Sequence, residues 1–164
     1  MNSVQELAPA RAIERPTFDR EMNTYIEAAP ELVFRYIADI RRHTEWSADP
    51  LEIRLEPGPE FGPGTTFTSV ASIGSKRITG HGCVIAAEPP TRFVYESKDL
   101  FGHHRWTMTL RPEDTGTLLI QRMERLQGPL WLRLLQPSIM WPTIGRRSVG
   151  KALANIKTHL EANS

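Results

Sequence analysis

The groups best suited to chemistry in this chain are five histidines, one cysteine and a few hydroxyl and amide side chains set among apolar residues. His103 and His104 are adjacent, so on a strand they face opposite ways, and that geometry does not suit joint metal ligation. No Cys or carboxylate cluster completes a site, so no metal is expected. His81 reads as a half-buried strand residue. Cys83 reads as an inert buried thiol, because a nucleophile needs a base beside it. A Gly-x-Ser-x-Gly elbow, a phosphate-binding loop and a dinucleotide fingerprint are all missing, and "GPGTTF" lacks the lysine that would follow. No cofactor is expected. Tyr95 and His104 remain as candidate acid/base groups for proton transfer, with Gln121 placed to polarise a carbonyl.

Short strands must position these residues. Met22, Thr24 and Ile26 alternate with polar neighbours and predict a strand beginning near Glu21. Pro30 suits the first turn of a helix that runs to about Asp39, and a second short helical piece holds Arg41 to Trp46. Six further strands are predicted at 52–56, 65–73, 77–88, 92–97, 103–111 and 117–124. Pro, Gly and Asp-rich breaks separate them, and connections this short make antiparallel hairpins. From Pro129 to Asn163 the pattern is helical, with Val149, Ala152, Leu153, Ile156 and Leu160 on one face. Pro137 and Pro142 predict a kink or break in that helix. The fold class is α+β: a seven-stranded curved antiparallel sheet around a long C-terminal helix, with two short helices after the first strand. Residues 1–20 are expected to be a flexible arm, and 21–163 a single domain.

Alternation assigns the strand faces. Glu96 is expected in water with Val94, which turns Phe93, Tyr95 and Ser97 inward. His104, Trp106, Met108 and Leu110 share an inner face, as do Leu119, Gln121 and Met123, and Phe67 lies with Ser69, Ala71 and Ile73. Large aromatics, methionines and isolated polar groups suit the wall of a pocket for a mostly apolar molecule, although a plain core would use the same apolar stripes. The candidate ligand contacts are Trp46, Phe67, Phe93, Tyr95, Trp106, Met108, Gln121 and Met123. To these are added Trp131, Met140 and Trp141 from the proline-interrupted front of the last helix.

The stretch "IEAAPELVFRYIADIRRHTEW" (Ile26 to Trp46) resembles the opening of SRPBCC proteins. This helix-grip superfamily includes START lipid-transfer domains, birch-pollen-type allergens and polyketide cyclase/dehydrase-like proteins. The matching residues are Ala29, Pro30, Val33, Phe34, Asp39 and Trp46. "EPPTRFVYES", "LRPEDTGTLL" and "ALANIKTHLE" follow in the same order, so the resemblance covers roughly residues 21–162. It implies a deep cavity between the sheet and the C-terminal helix. The matched motifs are mainly scaffold motifs, and a fold alone does not assign a function.

Composition limits the partners. Twenty Lys and Arg against nineteen Asp and Glu give a net charge of +1, which offers no basic field for nucleic acid. A single cysteine excludes an internal disulfide framework and favours the cytoplasm. No apolar run reaches the roughly 18 residues of a membrane span, so no stable membrane insertion is expected. The leading expectation is a binding protein for a hydrophobic small molecule: a lipid, a polyketide or another aromatic or polycyclic compound. The alternative is a polyketide cyclase/dehydrase-like enzyme using the same cavity. A third reading is a module that binds a protein partner through Leu130 to Trp141, a stretch whose Leu130, Trp131, Leu134 and Leu135, with Arg133, would also suit a membrane surface. Oligomeric state is not legible.

Overall fold

Antiparallel pairing follows from the short breaks between strands. The computed structural model describes residues 16–58 and 61–163. Strand β1 (Phe18–Ile26) leads to helix α1 (Pro30–Ala38), a 3-10 turn (Ile40–Arg42) and the short helix α2 (His43–Trp46). Strands β2 (Leu51–Leu55), β3 (Thr66–Ile73), β4 (Lys76–Glu88), β5 (Arg92–Asp99), β6 (Gly102–Glu113) and β7 (Gly116–Gln127) then follow as successive hairpins. The sheet has seven strands in the order β1-β7-β6-β5-β4-β3-β2, so β1 returns to pair with the last strand. Helix α3 (Leu130–Leu135), a π-helical segment (Gln136–Gly145) and helix α4 (Arg146–Glu161) complete the chain.

Pro30 starts α1 where a proline costs no hydrogen bond. Asp39 ends it, and its carboxylate accepts from the Arg41 backbone N–H at 3.2 Å and from the Arg41 guanidinium at 2.9 Å. The sheet then closes on α4. Val149, Ala152, Leu153, Ile156 and Leu160 share one core with Phe67, Phe93, Tyr95, Met108 and Leu119. The end of α4 is pinned to β1: Lys157 donates to the Tyr25 carbonyl at 2.7 Å, and Glu161 accepts from the Glu27 N–H at 2.9 Å.

Several expectations need correction. β1 begins at Phe18, ahead of Glu21, because Phe18 is buried against Trp141 (ring centroids 5.6 Å apart) and the Thr17 N–H bonds the Arg125 carbonyl at 2.8 Å. Residues 18–20 of the expected arm are therefore strand, and residues 1–15 lie outside the described residues. Glu96 and Val94 are buried, not wet. On the outer face Glu96 accepts from Arg105 at 2.7 and 2.9 Å and meets His103 Nε2 at 2.7 Å, so its cross-strand partners cover it. These partners hold the Glu96 carboxyl below the usual range against the opposing effect of its burial. His81 is exposed rather than half-buried, with Nδ1 3.3 Å from the Thr68 hydroxyl.

The last helix does not break at its prolines. From Gln136 to Gly145 it widens to π geometry, in which an N–H reaches a carbonyl five residues back, as Arg146 N–H does to Trp141. The hydroxyls of Ser138 and Thr143 donate to the Leu134 and Ile139 carbonyls at 2.9 and 2.6 Å. The helical assignment thus continues through Pro137 and Pro142, which lack an N–H.

Candidate ligand-binding site

Small residues on the inner faces of β3 and β4 leave the space that larger ones would fill. Ser69, Ala71 and Gly80 line one wall of a cavity of about 220 Å³. Gly82 is needed for a neighbouring reason: a Cβ there would collide with the outer atoms of the Phe67 ring, which lies against the glycine. Tyr95, Trp106 and Gln121 form the floor, from three adjacent strands. Trp46 closes the α2 end, Leu51 and Ile53 come from β2, and Ser148, Val149 and Ala152 from α4 roof the space. The segment Ser47–Asp49 and Asp99 border it as well. α2 is tied to α4 across the cavity, since Asn155 Nδ2 donates to the Trp46 and Ser47 carbonyls at 3.3 and 3.4 Å and Lys151 donates to the Ala48 carbonyl at 2.8 Å.

The walls are aromatic and interlocked. The His43 ring stacks on Trp46 at 3.9 Å and meets the edge of Tyr95 at 5.5 Å. Tyr95 in turn lies parallel to Trp106 at 6.3 Å and edge-on to Phe67 at 6.3 Å. The Trp106 indole N–H is satisfied by the Ser97 hydroxyl at 3.2 Å. Trp46 Nε1, His43 Nδ1 and the Gln121 amide oxygen are buried without a hydrogen-bond partner among the described residues. Burial pushes the His43 imidazole down to about 3, so it stays neutral. Burial also pushes the Tyr95 phenol well above its ordinary range, which makes it a proton-holding donor.

Of the residues expected to contact ligand, Trp46, Phe67, Tyr95, Trp106 and Gln121 line this cavity. Phe93, Met108 and Met123 point inward but are buried in the packed interior off the cavity wall. Strand alternation identifies the inner face, but it does not say how far along that face the hollow extends. Trp131 is half exposed on α3, and Met140 lies half-buried off the wall. Trp141 packs on Phe18 and on the core instead. His104 is buried two strand positions from Trp106, with ring centroids 6.5 Å apart, and does not line the cavity; burial disfavours its charged form.

His43 escaped the sequence reading. It sits in a short helical piece where neither alternation nor a long period operates. The available signal was its spacing from Trp46, since residues three apart on a helix share a face. Cys83 is half-buried rather than buried as expected, and the burial it has raises its thiol. Among the described residues no group of three His, Cys, Asp or Glu is placed to hold a metal ion.

A protein-family model described as polyketide cyclase/dehydrase and lipid transport matches residues 17–161. No curated protein matches the chain. Among solved structures, a Thermus thermophilus protein is 21% identical, covering 90% of this chain and 99% of its own, with a TM-score of 0.67. A Rhodobacter sphaeroides protein is 20% identical over 90% and 95% of the two chains, with a TM-score of 0.69. The di-domain ARO/CYC StfQ from the steffimycin biosynthetic pathway is 15% identical over 88% of this chain and 51% of its own, with a TM-score of 0.70. At such identities the likeness is one of fold.

Proposed function

The chain belongs to the polyketide cyclase/dehydrase and lipid transport family, and from that premise we propose that it binds one hydrophobic small molecule, a lipid, polyketide or other aromatic compound, in the cavity between sheet and α4. The observation that carries this reading is the hollow itself, walled by Trp46, Phe67, Tyr95 and Trp106. Its volume of about 220 Å³ is below the roughly 300–1,000 Å³ of common small-molecule sites. A ligand of one or two rings, or the end of an alkyl chain, fits this form. A larger polycycle requires the Ser47–Asp49 segment or the start of α4 to move outward. Apolar ligand surface buried here contributes about 25 cal/mol per Å² before the cost of association is subtracted. The Tyr95 hydroxyl orients polar groups on the ligand.

Two indoles in the wall provide the assay. Titration with naphthols, polycyclic aromatics and fatty acids is expected to quench tryptophan emission saturably at one site. Ala152→Phe, which fills the roof, is expected to remove that response while circular dichroism stays unchanged. If no probe gives saturable quenching, or if the filled variant binds as well as the parent, the reading fails.

The alternative is a cyclase- or dehydrase-like enzyme acting on such a compound, with Tyr95 and His104 as acid/base groups. Tyr95 contacts the cavity, and His104 does not. Turnover of an aromatic polyketide precursor that survives His104→Ala and is lost in Tyr95→Phe would support catalysis by Tyr95 alone.

A further inference from the structure

The surface of α3 and the π segment that faces away from the core is apolar and open. Leu130, Leu134, Ile139 and Ile144 are 71%, 74%, 55% and 63% exposed, and Trp131 keeps half its surface. Contiguous apolar surface of this kind on a folded domain marks an interaction site. The charge on the segment itself has one sign, although Asp19 and Glu21 flank Arg20 on the neighbouring strand. From Leu126 to Leu160 the sequence contains no Asp or Glu, while Arg133, Arg146 and Arg147 are exposed. A further guanidinium borders the segment: Arg20 stands 4.8 Å over the Phe18 ring, which itself packs on Trp141.

We propose that this face docks on a membrane surface rich in anionic lipid, lying flat in the headgroup region. Leucine and isoleucine side chains with a tryptophan supply the interfacial contact, and the arginines pair with lipid phosphates. Among the described residues no helix is long and apolar enough to cross a membrane, so the attachment is lateral. A second copy of the chain is a poorer occupant. A twofold interface on this face would bring two sets of Arg133, Arg146 and Arg147 together with no carboxylate from the segment to pair them. The docked face also leads directly into α4, whose Ser148 and Val149 line the cavity. The proposal stands whatever molecule occupies that cavity.

The test is co-sedimentation of the full chain with phosphatidylcholine vesicles, with and without about a third phosphatidylglycerol. Binding is expected on the anionic vesicles and is expected to weaken in high salt, each arginine at the surface contributing roughly fivefold. Leu134→Ser with Ile144→Ser, and separately Arg146→Glu with Arg147→Glu, are each expected to lower the partition at least tenfold. All four positions are exposed, so folding and cavity-probe binding are expected to persist. Loss here with the probe response intact would therefore leave the cavity reading untouched. No binding to anionic vesicles, or equal binding by parent and both variants, overturns the proposal. So does a dimer, seen by light scattering without lipid, that the Leu134 and Ile144 substitutions dissociate.

Discussion

Replacing His43 by phenylalanine removes a base that the fold keeps neutral. In the parent, the imidazole is stacked on Trp46 and set edge-on to Tyr95, with Nδ1 buried and unpartnered among the described residues. Its affinity for a proton falls from the ordinary 6.5 to about 3, through burial alone. The unfolded chain takes up a proton near pH 6.5, and the folded chain only near pH 3. The contribution is thus fully present above pH 6.5 and is lost as the pH falls through that window, approaching a slope of about 1.4 kcal/mol per pH unit. Between pH 7 and pH 5 the loss comes to about 2 kcal/mol. His104 is shifted in the same direction, so the informative quantity is the difference between parent and variant. Urea unfolding at pH 7, 6 and 5 is expected to show the parent losing about 2 kcal/mol more than His43→Phe. Parallel stability profiles, or an NMR titration placing the His43 imidazole near its free value, would refute the argument.

Two further outcomes rest on packing. Gly82→Ala forces the Phe67 ring out of its seat and into the hollow; it is expected to cost about 1–3 kcal/mol in urea unfolding and to weaken binding of aromatic probes. Arg125 is fully buried, with Nε on the Thr17 hydroxyl at 3.1 Å and both terminal nitrogens unpaired among the described residues. Because an uncompensated buried charge is costly, Arg125→Met is expected to leave stability unchanged or raise it by about 1–4 kcal/mol, read as a higher melting temperature, and a drop of several degrees would contradict that account.

Much of the architecture is written locally. Turn residues between β-prone runs dictate hairpins, and the apolar stripe of Val149 to Leu160 dictates a helix that needs a concave face to cover it. Alternation likewise turns Tyr95, Trp106, Gln121 and Phe67 inward, and these reach the cavity. What local pattern does not carry is depth. Phe93 and Met108 obey the same alternation as Tyr95 and Trp106 but lie where neighbouring elements fill the space. Glu96 shows the opposite limit: a charge on an outward position is normally wet, and only the positions of His103 and Arg105 on the next strand bury it. The prolines of the last helix predict a kink or a break. A wider helical spacing carries the helix past them instead, with the Ser138 and Thr143 hydroxyls adding bonds to the Leu134 and Ile139 carbonyls.

The pairing of β1 with β7 has a consequence for assembly. Strands β2 to β7 can zip together hairpin by hairpin through short loops, but β1 must wait for a partner about a hundred residues downstream, as Phe18 does for Arg125. The bonds from Lys151 and Asn155 to Ala48, Trp46 and Ser47 span similar stretches of chain. Closing such long loops is entropically expensive and slow. The contacts that complete the chamber are therefore expected to form late in folding, after the hairpins.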